Sequence, residues 1–144
     1  MKTRNKRRGQ AGVTLIEMLV VVTIIALFAT LVAPNMFKSV DKANAVGARV
    51  QINNFEQALM QYKLSTGTFP TTEQGLEALH TRPANDNLWE GPYLKSEIPL
   101  DPWKHPYLYR YPGEHGDEPD ISSYGADGQP GGEGVNTDIV NWKR

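Results

Sequence analysis

The chain contains no cysteine. A domain built from it cannot be held by disulfides, and small domains without them often need a metal or a partner. His80, His105 and His115 have no metal-ligand spacing to one another and no cysteine beside them, so they read as loop or surface histidines. There is no nucleophile elbow G-x-S-x-G and no phosphate loop G-x-x-x-x-G-K. Gly125 to Gly134 lacks the lysine and the strand–helix context of a phosphate cradle. These absences argue against an enzyme. Charge is missing in two further places. The first 16 residues carry no acid, and the 21 residues from Val13 to Ala33 carry one charge, Glu17.

What is present starts from that apolar run with its single charge. As a helix it would span roughly 30 Å, the thickness of a bilayer's hydrocarbon core. Lys2, Arg4, Lys6, Arg7 and Arg8 precede it, so the positive-inside rule puts residues 1–12 in the cytoplasm. The remainder has ten bases against sixteen acids and lies across the membrane. An acidic domain of this kind does not suit nucleic acid, which needs clustered Lys and Arg. A cleaved secretory signal is a poor fit. Leu31-Val32-Ala33 lacks the small-residue pattern, and Pro34 follows directly.

Glu17 is the anomaly within the run. A carboxylate at the centre of an apolar helix costs about 2.5–3.5 kcal/mol, which makes it a functional candidate. It either reaches the headgroups from near the helix end or pairs with a cation at its own depth. A cut after Gly12 would create such a cation, the new amine on Val13. Pairing between neighbouring copies would then set a stagger between subunits.

Gly12-Val13-Thr14-Leu15-Ile16-Glu17 resembles the class III signal of type IV pilin-like proteins. The resemblance implies cleavage after Gly12 by a prepilin peptidase, methylation of Val13, and roles in assembly for Glu17 and Thr14. Val13 stands where that family most often has phenylalanine. Pro34 matches the family's helix-kinking proline. It removes the partner of the Thr30 carbonyl, which leaves either a simple kink or a locally melted stretch.

Residues 35–64 continue as an amphipathic helix, with Phe37, Val40, Ala43, Val50, Phe55, Leu59 and Tyr62 expected on its core face. Gly67 suits a C-terminal cap. Thr71 and Gln74 form a capping-box pattern opening a short helix to about Leu79 or His80, with Leu76 and Leu79 inward. Trp89, Tyr93 and Trp103 in the proline-rich stretch 83–106 are expected to pack that loop onto the helix. Tyr107–Tyr111 and Ile121–Tyr124 read as strands, with Pro112-Gly113 as a turn.

Three later segments narrow the resemblance. They are Thr68 to Leu79, Pro99 to Tyr107, and Ser123 to Gly128 with the ending Asp138 to Trp142; all are similar to major pseudopilins of type II secretion systems. The implied fold is α+β, a pilin-like lollipop: a long N-terminal helix packed on a small antiparallel sheet with a C-terminal calcium loop. The implied domains are a removed leader (1–12), a transmembrane and filament-core helix (13–34) and a periplasmic head (35–144). The implied role is a structural major subunit of the pseudopilus, anchored in the inner membrane. Its partners would be its own copies, minor pseudopilins, the inner-membrane assembly platform and the prepilin peptidase. A type IV pilin, a minor pseudopilin and a signal-anchored periplasmic binding module are the alternatives.

Seven acids and no Lys or Arg lie between Glu114 and Asp138, among six glycines. Hard oxygens on a pliable backbone suit Ca²⁺, yet the spacing is not an EF-hand, and a solvated acidic loop fits the residues too. The resemblance implies a structural Ca²⁺ here, with Asp127 and Asp138 as side-chain ligands, backbone oxygens of Tyr124 and Gln129, and Asn136 in addition. Intact mass tests the processing site. Co-expression with a prepilin peptidase should remove residues 1–12 and add one methyl group, whereas an uncut chain beside active peptidase would leave a plain signal anchor.

Overall fold

The computed structural model describes residues 12–84 and 86–143, the side chains of 31–38 excepted. Helix α1 runs from Leu15 to Thr66, 52 residues. The chain falls into two compact units, divided between Ser39 and Val40. In the first, Thr14 Oγ1 accepts the Glu17 N–H at 3.2 Å and opens the helix. Leu15, Ile16, Leu19, Ile24, Ile25 and Phe28 are exposed. Among the described residues no helix is long and apolar enough to cross a membrane. The expected span reaches Ala33, and the side chains of its last three residues, like that of Pro34, lie outside the described ones. The backbone itself stays α-helical across Pro34, so the locally melted stretch is not found there.

In the second unit α1 supplies the core. Ala48, Ile52, Phe55, Leu59 and Tyr62 recur at three- and four-residue steps and are all buried. This corrects the expected face at three positions. Val40 and Val50 are more than half exposed, and Ala43 is exposed as well. Val50 lies five residues before Phe55, about 140° around a 3.6-residue helix, so both cannot face one core. Phe37 lies outside the described side chains. Gly67 ends the helix in the left-handed region at φ 85°, its N–H donating to Lys63 O at 2.8 Å.

The Thr71–Gln74 capping box forms as expected. Thr71 N–H donates to Gln74 Oε1 at 2.8 Å, and Gln74 N–H to Thr71 Oγ1 at 3.3 Å. It closes a turn rather than an α-helix. Gly75, at φ 60° and ψ −165°, breaks the helical path, and only a short 3-10 helix follows, Leu76–Leu79, with both leucines buried. The sheet is small and antiparallel: β1 (Leu108–Arg110), β2 (Asp120–Ser123) and β3 (Ile139–Val140), in that order. Tyr109 pairs with Ile121, and Ser123 with Ile139. The two expected strands are present, each shorter or shifted by a residue. β3 and the 3-10 turn Gly134–Asn136 were not expected.

Aromatic edges knit the loops to α1. Phe55 meets Tyr107 edge-on at 5.1 Å, and Tyr62 meets Tyr93 at 5.4 Å. Trp89 donates from Nε1 to Ala78 O at 2.8 Å. As expected, Trp89, Tyr93 and Trp103 pack against the core.

Burial also holds tyrosine phenols neutral. The Tyr107 hydroxyl is pushed up to about 12, first by burial and then by the charge of Asp101. Tyr62 and Tyr109 are raised as well, chiefly by burial; Tyr62 also donates to Asp86 Oδ2 at 2.6 Å. Below pH 10 both states keep these protons and stability is independent of them. Above an ordinary pKa of 10.0 the unfolded chain ionises first, so stability is lost as pH rises from 10 towards about 12. Denaturant midpoints should therefore stay level just below pH 10 and fall above it, tyrosinate absorbance appearing together with unfolding. Phe55→Ala should cost about 3–5 kcal/mol in the same unfolding assay, from a cavity at a fully buried ring.

Candidate functional site

Two regions carry the candidate residues. At the N-terminal end, Val13 is 61% exposed, and a Cβ on Gly12 would meet nothing within 4 Å. A peptide there is open to a processing enzyme. Thr14 caps the helix, and Glu17 sits three residues on, in its first turn. A Thr-x-x-Glu spacing is that of a capping box, and a carboxylate at this position is favoured by the positive end of the helix dipole. Sequence reasoning weighed Glu17 against the membrane and against a neighbouring copy's amine, not against its own helix. The structure adds a local reason for an acid at this position.

The second region is the loop between β2 and β3. Its ends are drawn together: Ala126 N–H donates to Val135 O at 3.3 Å, and Gly125 lies against the backbone of Asn136 and Thr137. Asp127 is exposed, and its Oδ1 accepts the Gln129 N–H at 3.1 Å. Asp138 is half-buried at the far end, just before β3. Its Oδ2 accepts the Gly131 N–H at 2.8 Å. Its Oδ1 is buried and, among the described residues, has no hydrogen-bond partner. Tyr124 and Asn136 are half-buried and Gln129 is exposed, all within the same loop.

Among the described residues no three His, Asp or Glu side chains group as metal ligands. Any cation in this loop would take two carboxylates at most and complete its shell with carbonyls and water, which suits Ca²⁺ rather than a transition metal. A buried carboxylate oxygen without a donor is costly unless a cation or proton faces it. The residues present therefore fit such an ion.

Residues 35–142 match the family described as Type II secretion system (T2SS), protein G, and residues 7–33 match the prokaryotic N-terminal methylation motif. The chain belongs to the type II secretion system protein G family. It is 46% identical to the type II secretion system core protein G of Vibrio cholerae over 140 residues, covering 95% of this chain and 94% of that one. To the Pseudomonas aeruginosa core protein G it is 43% identical over 141 residues, covering 95% and 98%. A crystal structure of the major pseudopilin from the type 2 secretion system of enterohaemorrhagic Escherichia coli superimposes with a TM-score of 0.61 at 36% identity, over 72% of this chain and 87% of that one. The fold is pilin-like α+β, and the protein G family is a structural part of the secretion machinery rather than an enzyme. The alternatives of a type IV pilin, a minor pseudopilin and a periplasmic binding module give way to it.

Sequence reasoning missed what holds the loop. Asp101 is 2% exposed. Its Oδ1 accepts the N–H groups of Trp103 at 3.0 Å and His105 at 2.8 Å, and its Oδ2 accepts the Ser123 hydroxyl at 2.5 Å. The signal was available in Asp101-Pro102, a pair that favours a side-chain-closed turn two residues on. The partnership with Ser123 was not available, because it joins residues 22 apart. Gly125 has φ 66°, and a Cβ there would lie 3.0 Å from Thr137 O. Gly125→Ala should lower unfolding free energy by about 1–3 kcal/mol, because left-handed backbone and a backbone clash act together. A melting temperature equal to that of the parent protein would contradict this geometry.

Proposed function

We propose that this protein G family member is the repeating subunit of a pseudopilus, assembled through the N-terminal half of α1. The observation that carries the reading is the apolar surface of that half. Leu15 is 87% exposed, Ile16 70% and Leu19 61%, on a helix whose only charge up to Thr30 is Glu17. A surface of this kind needs lipid before assembly and other helices after it. Prepilin peptidase cuts after Gly12 and methylates Val13. The Val13 amine of one copy then pairs with Glu17 of a neighbour in an apolar layer, fixing the stagger, while Thr14 holds the first turn. The chain is anchored in the inner membrane with its head in the periplasm. Minor pseudopilins and the inner-membrane assembly platform are its partners alongside its own copies.

In the head, Ca²⁺ is held by Asp127 and Asp138, with backbone oxygens of Tyr124 and Gln129 and with Asn136. The unpartnered Oδ1 of Asp138 supports this reading. The ion's role is structural. It ties down a glycine-rich loop in a chain that has no disulfide to do so.

Glu17→Leu should abolish filament formation while leaving processing after Gly12 and the fold of the head intact; filaments of normal length in that variant would remove Glu17 from assembly. The full chain in detergent should melt higher in Ca²⁺ than in chelator. Equal melting temperatures would dismiss the metal.

A further inference from the structure

Gly125, at the entry of the loop proposed to hold Ca²⁺, is gripped from both sides by one turn. Its N–H donates to Ser123 Oγ at 3.3 Å, and the Ser123 hydroxyl donates to Asp101 Oδ2. Its carbonyl lies 3.1 Å from His105 Nδ1. His105 is in turn set by Asp101, which accepts the His105 N–H through Oδ1, while the Asp101 N–H donates to His105 O at 2.8 Å. The His105 ring also lies under Gly128, where a Cβ would come within 3.1 Å of it. Ser123 is fully buried. Both peptide groups of Gly125 therefore take their orientation from a single carboxylate.

We infer that Asp101, through Ser123 and His105, is the positioning residue that presets the loop for its cation. The inference rests on the proposal that the loop binds Ca²⁺, and it assigns a role to residues that do not ligate the ion. Outer partners of metal ligands hold them in the bound geometry, and their loss commonly weakens binding 10- to 100-fold. Here the chain of contacts ends on Gly125, between the proposed ligand residues Tyr124 and Asp127. Rotation of the peptide planes on either side of Gly125 would move the Tyr124 carbonyl and the start of the Asp127 turn together. Linkage makes the coupling reciprocal: an ion that orders the loop also orders the Asp101–His105 turn.

The test is Ca²⁺ titration calorimetry on the full chain in detergent, using wild type, Ser123→Ala and Asp101→Asn. Ser123→Ala cuts the link to the Gly125 N–H. Asp101→Asn keeps the shape but removes the charge that orients the hydroxyl, and it serves if the alanine variant folds poorly. The expected result is a Kd raised about 10- to 100-fold. Alongside it, the rise in melting temperature on adding Ca²⁺ should shrink, and the Gly125 amide should exchange faster in the Ca²⁺-free protein. Affinity within twofold of wild type in both variants would overturn the inference and leave the metal reading standing. So would a drop in melting temperature of equal size with and without Ca²⁺, the mark of a purely structural role. Wild type that fails to take up Ca²⁺ would overturn the metal reading, and this inference with it.

Discussion

The head depends on the burial of one face of α1, centred on the fully buried ring of Phe55. Hydrophobic burial is the main favourable term in a domain this small, and here a single helical stripe supplies nearly half of the core residues. Everything else in the head is short: strands of two to four residues and two 3-10 turns. Such elements are not stable alone. They persist because Tyr107, Ile121, Ile139, Leu76 and Leu79 share the core that Ile52, Phe55 and Leu59 open.

Polar pins complete what burial begins. Asn141 satisfies both backbone groups of Ile121, its N–H donating to the Ile121 carbonyl and its Oδ1 accepting the Ile121 N–H. Its Nδ2 reaches Glu56 on α1 and the Pro119 carbonyl. Thr72 plays a similar part at the end of β1, its hydroxyl donating to Tyr111 O and accepting Tyr111 N–H. Asp101 does so for the loop entry. Each pin joins segments distant in sequence, and the Asp101–Ser123 one satisfies buried polar groups that would otherwise weigh against folding. In a chain without cysteine these contacts occupy the place that disulfides hold in many small secreted domains.

One helix thus serves two ends with opposite surface logic. Past Ser39 its apolar stripe turns inward on its own chain. Up to Phe28 its large apolar residues are exposed. The assembly proposed above, from bilayer to filament, would use that division, since the part that changes surroundings is then not the part that folds the head.

The outline was legible in the sequence. The apolar run with Glu17, the Gly67 cap and the Thr71–Gln74 box depend on residues near one another, and local chemistry decides them. The family resemblance was legible for the same reason, as short motifs in order. The core face of α1 was read only in part. Helical spacing alone sets Val50 apart from Phe55, but Val40 and Ala43 are as apolar as residues of the true stripe, and the position of the sheet and loops decides which face is covered. β3 was missed because Ile139-Val140 is two residues long and becomes a strand by pairing with Ser122 and Ser123. The Asp101–Ser123–Gly125 grip was missed because its parts are distant along the chain. What the sequence determined by itself was whatever works through residues a turn or two apart: helix extent, caps, charge asymmetry and processing motif. What only the tertiary structure decided was which groups meet across the chain. Contacts between distant segments are chosen by the packing of the whole core, and no local pattern carries them.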